Sequence, residues 1–149
     1  MTPGRRAGEP SASMGSDQTA DLARLGYVIV AWTFLACLAV QLFLVGLDLF
    51  EVTGEDVRIH REFAYVYGWL APAMVLLAVA ARLPRRTLLL TVALLVLFAV
   101  QTYLPSLAEE LPDVAALHAL NALAVVWISA TLALSVQRRV GPGAEGGGS

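Results

Sequence analysis

The chain has 149 residues, 58% of them hydrophobic and 15% charged, with a formal net charge of −2. That is too apolar for a water-soluble domain, whose surface helices carry polar faces. No basic patch with interleaved aromatics is present, which argues against nucleic-acid binding, and the single Cys37 excludes an intramolecular disulfide.

Residues 1–20 are rich in Gly, Pro, Ser and Thr, lack an apolar period and read as a disordered leader. They are too polar for the core of a signal peptide, so the first apolar run is expected to stay uncleaved. A membrane-crossing helix takes about 20 mostly apolar residues. Four runs approach that length: 25–47, 64–81, 88–104 and 114–136. The second and third are short, so flanking residues should extend them. The expected fold is all-α: an integral membrane four-helix bundle over 21–139, followed by a flexible tail, 140–149, ending in a linker-like GGGS.

Charge placement orients the bundle. The chain has no lysine; Arg5, Arg6 and Arg24 precede the first run, Arg82, Arg85 and Arg86 separate the second from the third, and Arg138 and Arg139 follow the fourth. The first and third connections hold Asp48, Glu51, Glu55, Asp56, Glu62, Glu109, Glu110 and Asp113, against only Arg58 and Arg61. Arginine bias sets topology, so both termini are expected on the cytoplasmic side of the membrane.

In the first connection, Thr53 or Gly54 can cap the second helix, with Glu55 and Asp56 in its first turn. His60 then lies more than one turn inside. Pro72 should kink the second span and Pro84 break the turn to the third. Pro105 and Pro112 bracket the outer loop, after which Asp113 can serve the start of the fourth helix, with His118 more than one turn further on.

The two halves repeat. AVQLFL at 39–44 matches AVQTYL at 99–104, and each leads through an acidic loop to a histidine, His60 or His118. Four positions on stand Ala64 and Ala122, nine on Trp69 and Trp127, eleven on Ala71 and Ser129, and each half ends in an arginine pair. Two tandem transmembrane hairpins follow, related by a rough two-fold axis along the membrane normal. The second and fourth helices become symmetry mates and are expected to meet at the centre, with the first and third more peripheral.

Paired imidazoles on symmetry-related helices suit the two axial positions of a haem iron. On this reading His60 and His118 are the metal ligands and haem b the cofactor. Ala64, Gly68 and Ala122 leave room for the macrocycle, Arg58 and Arg61 pair with propionates, and Gln41, Gln101 and Asn121 orient imidazoles or propionates. Electron transfer or haem handling would be the role, with a redox partner or a second copy of the chain beside the lipid bilayer as partners. Each residue also has a plainer reading: solvated interfacial histidines, glutamines bonding to each other between helices, tryptophans as interface anchors, small residues for close packing. These support a non-catalytic membrane subunit or scaffold, or more weakly a small transporter or channel. Cys37 reads as a small packed residue. Whether the protein is an enzyme is open.

The IHR at 59–61, a histidine early in an even-numbered helix and a second later, resembles one four-helix half of haem A synthase. That resemblance implies a histidine pair for haem, although the family usually has a glutamate three positions before the first histidine, where this chain has Val57. VQLFLVGL, HREFAYVYGW and LHALNAL more closely resemble a bacterial family of four-helix membrane proteins classed as a domain of unknown function, number 6220. That likeness implies a fold and a place in a bacterial plasma (inner) membrane, and no activity.

Overall fold

In the computed structural model, residues 11–50 and 58–140 are described. They form α1 (Ser11–Leu49), α2 (Arg58–Tyr67), α3 (Leu70–Ala80), α4 (Arg85–Tyr103), a 3₁₀ turn (Leu104–Leu107), α5 (Pro112–Ala115) and α6 (Leu117–Val140). Among the described residues, four stretches are long and apolar enough to cross a membrane: Asp17–Leu47, Arg58–Ala80, Arg85–Leu107 and Pro112–Arg139. Flanking residues do extend the second and third spans. The chain is a multi-pass membrane protein with an all-α four-helix bundle.

The first span begins earlier than expected. Residues 11–20, read from sequence as leader, are already helical. At 1.5 Å per residue, 39 residues make a rod of about 58 Å against about 30 Å of hydrocarbon. The extra turns therefore continue past the bilayer at the arginine-rich end, where Ala20 and Ala23 are buried. The expected cap at Thr53 or Gly54 lies outside the described residues.

Pro72 interrupts the second span one turn upstream of itself. Lacking an N–H, it cannot bond the Gly68 carbonyl, which instead accepts from Ala71 at 3.1 Å in a tighter turn. The helix breaks at Gly68 and Trp69, dividing α2 from α3. Gly68 is also required by packing: a Cβ there would lie 2.9 Å from both the Ala64 carbonyl oxygen and Phe98 Cε1.

The spans pack in ring order, first to second, second to third, third to fourth and fourth to first. Across the centre it is the first and third that touch, correcting the expectation that the second and fourth would. Tyr27 and Thr91 share a 2.7 Å hydrogen bond. Thr91 spends its own proton on the Thr87 carbonyl at 2.9 Å, so the Tyr27 hydroxyl donates. Phe34 and Phe98 meet edge-on at 5.4 Å, and Tyr67 completes a triangle at 5.5 and 5.4 Å.

The repeat is visible in the register of burial. Counting from each histidine, positions +7, +11, +14 and +18 are buried in both halves: Tyr67, Ala71, Met74 and Ala78 in one, Val125, Ser129, Leu132 and Val136 in the other. Counting back from each glutamine, −3, −7, −10 and −14 are buried likewise: Leu38, Phe34, Ala31 and Tyr27 against Phe98, Leu94, Thr91 and Thr87. These steps of three and four residues keep one helix face inward. The outward faces are apolar too, with Leu42, Phe43, Leu76, Leu123 and the symmetry mates Trp69 (77%) and Trp127 (76%) all exposed. So extensive an apolar surface is stable against acyl chains and not against water.

The turn from the second to the third span closes in a Schellman motif. Leu83 N–H bonds the Ala78 carbonyl at 3.0 Å and Arg82 N–H the Val79 carbonyl at 3.0 Å. Arg82 occupies the left-handed position, φ 51°, where glycine is the usual residue. An L side chain there costs about 1–2 kcal/mol.

Candidate functional site

The polar residues singled out from sequence gather at the loop end of each hairpin, and the two sets are bonded differently. In the second hairpin α4 ends at Tyr103, and Pro105 follows in the 3₁₀ turn, four residues after Gln101. Proline has no N–H to give, so the Gln101 backbone carbonyl loses its helical partner. His118 takes that place, its Nδ1 lying 3.0 Å from the carbonyl oxygen. A carbonyl only accepts, so Nδ1 carries the proton. The Gln101 side chain closes the loop, its Nε2 standing 3.0 Å from His118 Nε2. Asn121 fixes the amide's orientation. Its Nδ2 donates to the Leu97 carbonyl at 2.9 Å and to Gln101 Oε1 at 2.7 Å. Every donor meets an acceptor only if His118 is the neutral, Nδ1-protonated tautomer, with both ring nitrogens engaged.

In the first hairpin Gln41 Nε2 donates to the His60 backbone carbonyl at 2.8 Å, rather than to its ring. Gln41 Oε1 is buried without a hydrogen-bond partner among the described residues. Two residues account for the difference. The position matching Pro105 is Val45, so no carbonyl is released there. The position matching Asn121 is Phe63, which joins the aromatic cluster 5.1 Å from Tyr67. The glutamines therefore pin each hairpin internally and do not bond to each other. The fourth span is offset at its start: α5 ends at Ala115, and His118 is the second residue of α6, within the same membrane-crossing stretch.

The other candidate residues sit as follows. Arg58 is exposed and pairs with Glu62 at 3.7 Å, and Arg61 is exposed. Ala64, Gly68 and Ala122 are partly buried. Phe98 packs directly over Gly68, as the Cβ distance above requires. Phe98 fills the space beside Gly68, and the Gln101 amide engages His118 Nε2. No group of three or more His, Cys, Asp or Glu suited to a metal occurs among the described residues.

Residues 41–108 match a sequence family described only as a family of unknown function, DUF6220. The matching stretch includes Gln41, His60 and Gln101 and ends before His118 and Asn121. No curated protein and no solved structure matches the chain.

Sequence reasoning missed two features. Tyr27 and Thr91 form the buried polar link between the first and third spans, a pairing that no local pattern announces. At the opposite end from the histidines, a cavity of about 290 Å³ is lined by Arg24, Arg82, Leu83, Pro84, Val136 and Arg139. Its arginines were legible only as a topology signal.

Proposed function

We propose that the protein is a non-catalytic membrane subunit or scaffold, in which Gln41, His60, Gln101, His118 and Asn121 act as pins between helices. The observation that carries this reading is the engagement of both His118 ring nitrogens within its own hairpin. A polar side chain in lipid is costly unless bonded, and a polar clamp in each hairpin fixes register where apolar packing alone is permissive. The arginine distribution supports cytoplasmic termini, and the family resemblance a bacterial plasma membrane, so the clamps lie toward the outer face on this reading. Reporter fusions at residue 141 and near Glu109 should give opposite sidedness.

The competing reading is a haem b site ligated by His60 and His118. It requires Gln101 to release His118 Nε2 and Phe98 to vacate the space beside Gly68. The deciding measurement is a reduced-minus-oxidised absorbance spectrum of detergent-purified protein expressed with added haem precursor. The pin reading expects no Soret band, and a lower unfolding midpoint for His118→Ala. A Soret band that disappears in His60→Ala and His118→Ala would overturn it.

A further inference from the structure

The cavity at the arginine-rich end is built from three separate segments. Arg24 comes from α1, Arg82, Leu83 and Pro84 from the turn between the second and third spans, and Val136 and Arg139 from α6. Arg24 is fastened there: its Nη1 bonds Asp21 at 2.9 Å and its Nε donates to the Ala81 carbonyl at 3.3 Å. That carbonyl directly precedes Arg82, so the contact draws the first span to the turn. Asp21 offsets Arg24 alone. Neither Arg82 nor Arg139 has a carboxylate partner among the described residues. The cavity is therefore positive, and it lies where the spans leave the hydrocarbon.

Arg82 is held in the left-handed region that glycine would occupy without strain. A side chain kept at such a position, and lining a cavity, is a sign of use beyond folding. At about 290 Å³ the space stands at the lower bound of ligand pockets, which run from about 300 to 1,000 Å³. It is suited to a compact polar group. Guanidinium groups bind phosphate oxygens with directed, charge-assisted hydrogen bonds, and basic pockets between transmembrane helices hold anionic headgroups.

We propose that this cavity binds a phosphate-bearing anionic group through Arg82 and Arg139, with Arg24 at its edge. The source of that group is an anionic phospholipid headgroup or a free phosphate. The site is independent of the histidine clamps and stands whether or not the pin reading does.

The test uses the full chain in detergent, titrated separately with phosphatidylglycerol, phosphatidylcholine and inorganic phosphate. Melting temperature and bound-lipid count by native mass spectrometry are read together. Phosphatidylglycerol should raise the melting temperature more than phosphatidylcholine. Combining Arg82→Gly with Arg139→Gln should weaken phosphatidylglycerol binding at least tenfold, while Arg138→Gln, outside the lining, leaves it within twofold. Arg82→Gly alone should raise the ligand-free melting temperature, because the left-handed strain goes, and still weaken binding; this separates folding from recognition. Stabilisation by inorganic phosphate equal to that by the lipid supports the site and assigns it to the free anion. Equal response to the two lipids without a phosphate effect, or equal losses in Arg138→Gln and Arg139→Gln, would overturn the proposal in favour of diffuse surface charge.

Discussion

The two hairpins share a core register but not a polar chemistry. At matching depths both bury the same helix positions, and both turn a tryptophan toward lipid. At their loop ends they diverge, because Pro105 releases a carbonyl that Val45 does not, and Asn121 offers an amide where Phe63 offers a ring. The second hairpin closes a polar circuit of four bonds around Gln101 and His118. In the first, the Gln41 amide donates to the His60 carbonyl, and the position matching Asn121 goes to aromatic packing. Hydrophobic register is tolerant of substitution, since any apolar residue of similar volume keeps a face buried. A hydrogen-bond circuit is intolerant, since each member's orientation is fixed by the next.

The largest expected effect breaks the aromatic side of this contrast. Gly68→Leu must displace Phe98 or the Ala64 backbone, and overpacking of this kind costs about 1–3 kcal/mol. Val126, the matching position in the second hairpin, is 40% exposed, so Val126→Leu should change stability by less than about 0.5 kcal/mol. Unfolding of detergent-purified protein followed by circular dichroism measures both; equal effects would refute the packing account of Gly68.

Next comes the polar circuit. Gln101→Leu strands His118 Nε2 and removes one of the two Asn121 acceptors, and should cost about 1–2 kcal/mol. Gln41→Leu removes one good bond together with an unsatisfied oxygen, and should cost clearly less in the same unfolding assay. A greater loss from Gln41→Leu would reverse the ranking of the hairpins.

Ser129→Ala sharpens the comparison in the stabilising direction. The Ser129 hydroxyl is buried without a hydrogen-bond partner among the described residues, and its mate in the first hairpin is the equally buried Ala71. Removing the hydroxyl should gain up to about 1 kcal/mol; a lower unfolding midpoint would show that the hydroxyl is satisfied in the membrane protein.

The smallest effect concerns Pro105. Pro105→Ala returns an N–H to the Gln101 carbonyl, which then competes with His118 Nδ1. A double-mutant cycle of Pro105→Ala with His118→Ala should reveal a coupling of about 0.6 kcal/mol, the usual size for interhelical hydrogen bonds in membranes. Strict additivity would sever proline from the clamp.

The spans, the Pro72 break and the matching places of glutamine and histidine in the two halves follow from the chain alone. Apolar run length, a missing N–H and a repeated spacing are local properties, and lipid leaves helices few alternatives. The first helix starts earlier than read, at Ser11, because polar residues beyond the bilayer can still continue a rod begun inside it. Which diagonal of the bundle closes was beyond sequence reasoning, since the symmetric pattern treats both diagonals alike. Tertiary packing broke the tie: Tyr27, Phe34 and Phe98 are bulky enough to reach across the axis, while the fourth-span mates of Phe63 and Tyr67 are the smaller Asn121 and Val125. The gathering of Arg24, Arg82 and Arg139 around one cavity was likewise settled only in three dimensions. Residues 57 or 58 positions apart share a surface because helix packing and one left-handed turn bring their backbones together, and no periodicity along the chain encodes that distance.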